Sequence, residues 1–157
     1  MRILVIDDKP EQLEHAENAL SQHTVATANG WNVGKELIER GGWDVVLTDL
    51  SMPAVEDGQS NALNVGQPTP YGFPLALLAL KAGVEKVAIV SNGNESGTNH
   101  HEHPIYWAAD ALNGQIIPGR FWAFTGYNCP NMSDHSSSDM TLWQLKNWSA
   151  VLDTITS

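Results

Sequence analysis

The chain is poor in cationic residues and in cysteine, and each scarcity excludes a class of function. It has 8 Lys and Arg against 18 Asp and Glu, with a formal net charge of −10. Nucleic acids and anionic membrane surfaces bind basic patches, so neither is an expected partner. Cys129 is the single cysteine, which rules out an internal disulfide and favours a reducing compartment. No apolar run approaches the roughly 18 residues of a membrane-spanning helix, and no signal peptide is recognisable, so we expect a cytoplasmic protein.

The length of 157 residues suits a single domain, residues 1–157, with enough chain to bury a core. Short, branched apolar runs alternate with stretches of helical period. The predicted strands are residues 2–6, 25–28, 44–48, 87–90 and 121–124. The final helical stretch carries one apolar stripe, formed by Leu142, Leu145, Trp148, Leu152 and Ile155. The alternation predicts an α/β fold with a doubly wound parallel sheet and helices on both of its faces.

Three carboxylates stand at the ends of two of these strands. Asp7 and Asp8 follow the first strand, and Asp49 follows the third. In an open α/β sheet the carboxyl ends of the strands form the ligand-binding edge, so we expect the three side chains to lie together there. Crowded carboxylates repel one another, and a hard cation such as Mg2+ would relieve that repulsion.

The wider pattern resembles the receiver domain of bacterial response regulators. Its signature here is Asp7 and Asp8, the Thr-Asp-Leu-Ser-Met-Pro segment of residues 48–53, and Ser91 at the end of the fourth strand. The similarity is strong over residues 1–56, looser over residues 72–91, and only topological after that. The resemblance implies a flavodoxin-like sheet of five parallel strands in the order 2-1-3-4-5.

The resemblance also implies a role for each residue of the site. Asp49 would be the phosphoacceptor, a nucleophile that forms an aspartyl-phosphate. Mg2+ would be bound directly by Asp8, Asp49 and the backbone carbonyl of Ser51, and through water by Asp7. The metal would neutralise phosphoryl charge and align the in-line attack. Ser91 would donate a hydrogen bond to the phosphoryl group and act as a switch.

A stand-alone receiver of a two-component phosphorelay is therefore the expected function. The donor would be a histidine kinase or a phosphotransfer protein, and the protein would be no enzyme beyond an autophosphatase. The output would pass to another protein through the helix near 104–112, strand five and the last helix. One alternative is a pseudo-receiver, a binding module that no longer takes part in phosphotransfer. Another is a phosphatase of the haloacid dehalogenase type, but residues 7–9 lack its Asp-x-Asp motif.

The basic half of the receiver pattern departs from the family. The end of strand five reads Phe-Thr-Gly-Tyr at residues 124–127, without the usual lysine. Arg120 begins that strand, and Lys81 and Lys86 precede strand four, so we expect none of them to reach the acids. The predicted site therefore lacks a cation, which keeps the binding-module alternative open.

Two long loops are further departures. An insert of residues 57–71 separates strand three from the third helix, as a lid, a partner surface or a tolerated insertion. An extended loop follows strand four at residues 92–103, and its last four residues are three histidines and a glutamate. These are possible ligands of a transition-metal ion, although no matching second cluster supports a zinc site. We also hypothesise that His100, His101 or His103 supplies the charge of the missing lysine.

Overall fold

The computed structural model describes residues 1–53, 68–91, 111, 113–125, 129–130 and 145–157. Its strands are β1 (Arg2–Ile6), β2 (Thr24–Ala28), β3 (Val45–Thr48), β4 (Met52–Pro53), β5 (Pro68–Thr69), β6 (Lys86–Ser91), β7 (Gly114–Ile117) and β8 (Phe121–Thr125). Its helices are α1 (Pro10–Ala19), α2 (Trp31–Arg40), α3 (Gly72–Lys81) and α4 (Trp148–Thr156). No helix within these ranges has the length and apolar character needed to cross a membrane. The 92–103 loop, residues 57–67 of the insert and, apart from residue 111, the helix expected near 104–112 lie outside the described residues.

Six strands form one sheet in the order β2-β1-β3-β6-β8-β7. The first five pair in parallel, as their buried, branched sequences predict, whereas β7 pairs antiparallel with β8. The α/β class is confirmed, but the prediction of five strands in the order 2-1-3-4-5 is wrong, because β7 adds a sixth. The extra strand forms because residues 118–120 make a tight turn. There Gly119 adopts a φ of 71°, and the N–H of Arg120 donates to the carbonyl of Ile117 at 3.0 Å.

The side chains of the sheet alternate between two hydrophobic cores. Ile3 and Val5 pack with residues of α1 and α4, whereas Leu4 and Ile6 pack with residues of α2 and α3. All four side chains are fully buried. Because successive strand residues point to opposite faces, Asp7 continues the series that faces α1 and α4. The same alternation along β3 places Asp49 on that face.

A short antiparallel ribbon of β4 and β5 closes the base of the insert. The chain then enters α3 at Gly72, whose N–H donates to the carbonyl of Leu50 at 3.1 Å. A Cβ atom at Gly72 would overlap the backbone carbonyl oxygen of Asp49, so glycine is required for this close approach. The start of α3 therefore packs directly on the backbone that carries the candidate phosphoacceptor.

The last helix begins later than its apolar stripe predicts. α4 starts at Trp148, and the side chain of Asn147 caps it by accepting the N–H of Ala150 at 3.1 Å. Leu145 and Lys146 therefore precede the helix, and the first residue of the stripe lies outside the described ranges. From Trp148 onward the stripe packs on the sheet as predicted.

Candidate functional site

The three predicted acids meet at the carboxyl edge of the sheet. Asp7, Asp8 and Asp49 each offer a carboxylate oxygen, and these oxygens all lie within 4.8 Å of one another. Asp7 and Asp49 are buried, with 0% and 4% of their surface exposed, and Asp8 is half-buried. A backbone hydrogen bond holds the ends of β1 and β3 together, because the N–H of Asp49 donates to the carbonyl of Ile6 at 2.7 Å. The predicted acidic cluster is thus present.

A buried lysine neutralises part of this cluster. The Nζ of Lys146 lies 2.5 Å from Oδ2 of Asp7 and 2.8 Å from Oδ1 of Asp49. Only 2% of Lys146 is exposed. The prediction that the site lacks a cation is therefore wrong, because the segment before α4 supplies one in place of strand five. The three histidines of the 92–103 loop lie outside the described residues, and the charge they were expected to supply is already present.

Lys86 and Arg120 lie away from the acids, as the sequence predicts. The Nζ of Lys86 donates to the carbonyl of Ile155 at 2.8 Å, near the end of α4. Arg120 donates to the carbonyl of Val84 at 3.4 Å, at the opposite edge of the sheet. Neither of these two contacts involves the acids, whereas the Nζ of Lys146 contacts Asp7 and Asp49.

Three hydrogen bonds hold the segment around Lys146. Its backbone N–H donates to Oε1 of Gln12 at 3.1 Å. The indole N–H of Trp148 donates to the backbone carbonyl of the same glutamine at 3.2 Å. On the other side, the N–H of Asn147 donates to the carbonyl of Pro130 at 2.7 Å. The segment is therefore attached to α1 and to residues 129–130 before α4 begins.

The electrostatic balance of the site favours a protonated lysine and leaves an excess of negative charge. Burial alone would lower the pKa of Lys146, but the charges of Asp49 and Asp7 and their hydrogen bonds outweigh it and hold that pKa above its ordinary value. Three formal negative charges against one positive charge leave the cluster at −2. The three carboxylates and Lys146 together therefore keep a negative formal charge with the lysine in place.

The carboxylate geometry fits a small, hard cation. Opposite oxygens of an octahedral Mg2+ site are about 4.2 Å apart, since each lies about 2.1 Å from the ion. The three carboxylate oxygens lie within 4.8 Å of one another, so they are close enough to surround one such ion, directly or through water. A buried acidic cluster with excess negative charge could accordingly bind a metal ion.

The two serines of the predicted site lie near the same edge. Ser51 is buried, two residues after Asp49. Ser91 ends β6, the strand next to β3, where Thr48 is paired with Ile89. Ser91 is therefore about one residue beyond the level of Asp49. The roles expected for the two serines, a carbonyl ligand and a hydroxyl donor, stay predictions.

Cys129 lies close enough to the site for the charges of Lys146, Asp49 and Asp7 to affect its thiol. The hydrogen bonds described above for Lys146 do not involve this thiol. Burial raises the pKa of its thiol to about 12, with Asp49 and Asp7 adding to the rise and Lys146 opposing it. A thiol with so high a pKa stays protonated at neutral pH and is a poor nucleophile. Cys129 is therefore a packing residue behind the site.

Sequence reasoning missed Lys146 because the apolar stripe placed it inside a helix, on the polar side. A signal was nevertheless present in the sequence. Asn147 is a strong capping residue, and an apolar run follows it directly. Had the helix been started at residue 148, Lys146 would have been assigned to the connecting segment, where its side chain could reach the sheet edge.

Comparison with models of known protein families gives no match, and comparison with curated proteins gives none either. The likeness to a receiver site therefore rests on the α/β fold with its parallel sheet and on the acidic cluster of Asp7, Asp8 and Asp49.

Proposed function

We propose that this protein is a phosphoacceptor receiver of a two-component phosphorelay, with Asp49 as the acceptor. The observation that carries the proposal is the ammonium group of Lys146 between Asp7 and Asp49. Receivers pair an acidic cluster with one lysine, and the described residues bring both parts together. The chain position of that lysine departs from the family pattern, as do the sixth strand β7 and the long segments 57–71 and 92–103.

In this proposal a carboxylate oxygen of Asp49 attacks the phosphorus of a phosphohistidine donor. A bond forms between that oxygen and phosphorus, and the bond from phosphorus to the histidine nitrogen breaks, leaving its electron pair on the nitrogen. Lys146 already donates to Oδ1 of Asp49 at 2.8 Å. Its ammonium group can then donate to a phosphoryl oxygen, and a charge-assisted hydrogen bond of this kind contributes about 1.5–3 kcal/mol.

The residues present fit the Mg2+ ligands that the receiver resemblance implies. Asp8, Asp49 and the carbonyl of Ser51 would bind the ion directly. Asp7 would bind it through water, because both of its oxygens already accept hydrogen bonds, one from the N–H of Lys9 at 3.0 Å and one from Lys146. When bound, Mg2+ would neutralise charge on the phosphoryl group and align it for attack.

The partners in this proposal are proteins. A histidine kinase or a phosphotransfer protein would donate the phosphoryl group, and an output protein would bind the signalling surface. That surface would include α4, because the segment that carries Lys146 leads directly into this helix. Less of strand β8 would be available to the output protein than expected, since β7 is paired with the outer edge of that strand.

Phosphorylation from a small-molecule donor tests the proposal. The protein is incubated with acetyl phosphate and Mg2+, and its intact mass and peptide masses are measured. We expect a gain of one phosphoryl group on Asp49, lost in the Asp49→Asn variant and in the presence of a chelator. Absence of any mass gain in the wild-type protein would overturn the proposal and favour the pseudo-receiver, a binding module without phosphotransfer.

A further inference from the structure

Gln12 connects the acidic site to the helices on one face of the sheet. It lies in the first turn of α1, and only 3% of it is exposed. Its side-chain oxygen accepts the N–H of Lys146 at 3.1 Å, and its backbone oxygen accepts the indole N–H of Trp148 at 3.2 Å. One residue of α1 therefore binds the segment on both sides of Asn147.

The backbone position of Lys146 decides where its ammonium group can lie. A lysine side chain is flexible, with a four-carbon stem, and this one must reach two carboxylates at 2.5 Å and 2.8 Å at the same time. A strand would hold the backbone of such a lysine by its ladder of hydrogen bonds. Lys146 lies outside the main sheet, so Gln12 supplies part of that constraint.

The amide group suits this position better than a charged acceptor would. The cluster already carries three carboxylates and one ammonium group. A glutamate at position 12 would place a further negative charge close to the backbone of Lys146, whereas glutamine accepts the same hydrogen bond without charge. The choice of a buried, neutral acceptor is thus consistent with the electrostatics of the site.

We infer that Gln12 is a positioning residue of the acidic site, which holds the backbone of Lys146 so that its ammonium group bridges Asp7 and Asp49. For its effect on phosphoryl transfer the inference rests on the proposed function. Its effect on the lysine itself does not depend on that function. Through Gln12, the contact of α1 with the start of α4 helps to set the geometry of the site.

Three variants separate positioning from simple packing. Gln12→Met keeps the length of the side chain but removes the acceptor, and Gln12→Glu restores an acceptor. Ser149→Ala is the matched control, because the hydroxyl of Ser149 donates to the carbonyl of Ala19 at 3.1 Å in the same contact between α1 and α4. This control weakens the helix contact without touching the segment that carries Lys146.

The first readout is the NMR signal of the Lys146 ammonium protons in lysine-labelled protein, assigned by its loss in Lys146→Met. We expect Gln12→Met to speed exchange of these protons with water by about tenfold, the equivalent of one lost hydrogen bond of about 1.4 kcal/mol. Gln12→Glu should keep the Lys146 backbone amide protected, and Ser149→Ala should leave the ammonium signal unchanged.

The second readout is the rate of phosphoryl uptake from acetyl phosphate, which should fall by a similar factor in Gln12→Met and stay at the wild-type value in Ser149→Ala. Unchanged ammonium exchange in Gln12→Met would overturn the inference, and so would an equal loss in Ser149→Ala. If the wild-type protein takes up no phosphoryl group, the proposed function fails. The ammonium signal still decides whether Gln12 positions Lys146.

Discussion

Removal of the Lys146 ammonium group is the sharpest test of how the site is held together. In Lys146→Met the buried carboxylates of Asp7 and Asp49 lose the cation that lies 2.5 Å and 2.8 Å from them. Methionine fills a similar volume, so the variant changes charge far more than packing. We expect the folded protein to be strongly destabilised when no divalent cation is present.

The expected size follows from the geometry. At an effective dielectric constant of about 20, two unit charges 2.8 Å apart attract by about 6 kcal/mol. Desolvation of the lysine, which is 2% exposed, offsets part of this attraction. Removing one partner from a buried ion pair costs about 3–5 kcal/mol, because the remaining charge is left uncompensated. That loss is a large share of the 5–15 kcal/mol that stabilises a typical domain.

Urea unfolding in the presence of a chelator measures this loss. Lys86→Met is the matched control, since Lys86 donates to the carbonyl of Ile155 at the other end of α4 and its loss removes no contact with the acids. We expect the control to lose about 1 kcal/mol. Added Mg2+ should restore part of the stability of Lys146→Met and bind it about tenfold more tightly than the wild-type protein, because the cluster gains one unit of negative charge. If the free energy of unfolding of Lys146→Met falls by less than about 1 kcal/mol, Lys146 does not stabilise the buried acids as argued.

Three further predictions concern the surroundings of the site. Gly72→Ala should lower the free energy of unfolding by about 1–3 kcal/mol, as measured in urea, because a Cβ atom there overlaps the carbonyl oxygen of Asp49; wild-type stability would contradict this close approach. Asn147→Ala should lower the free energy of unfolding by about 1 kcal/mol. Asn147→Asp should keep most of that stability, since a carboxylate oxygen can also cap α4. Equal melting temperatures of the two variants would exclude the cap. Burial raises the pKa of the Cys129 thiol from 9.0 to about 12, so the unfolded state releases that proton first and stability should fall as pH rises above about 9. Unfolding is measured between pH 9 and 10 in the wild-type protein and in Cys129→Ala, and an equal fall of stability in the variant would contradict the assignment to the thiol.

The acidic half of the site could be predicted from the sequence because its placement depends on local pattern. Asp7 and Asp49 directly follow short buried strands, and parallel strands end at one edge. The strand alternation then fixes which face the side chains take. No long-range information is needed for either step.

The basic half could not be placed in the same way, because Lys146 reaches the site through tertiary contacts. It lies 97 residues from Asp49 and 139 residues from Asp7 along the chain. Periodicity alone made it part of a helix, although Asn147 caps the start of that helix, which begins two residues after Lys146. The β7 strand was missed for a related reason, since four residues with a glycine at the start resemble a loop until the tight turn at 118–120 pairs them with β8.

The separation of Lys146 from the acids also bears on folding during synthesis. The first three strands of the sheet and the three carboxylates have been translated once residue 49 is added, but Lys146 is translated 97 residues later. A nascent chain that buried the acids early would do so without their counter-charge, which is unfavourable. Contacts of such long sequence separation form slowly, because closing the long intervening loop costs entropy first. We therefore expect the edge of the sheet to stay hydrated until the segment that carries Lys146 docks with α4.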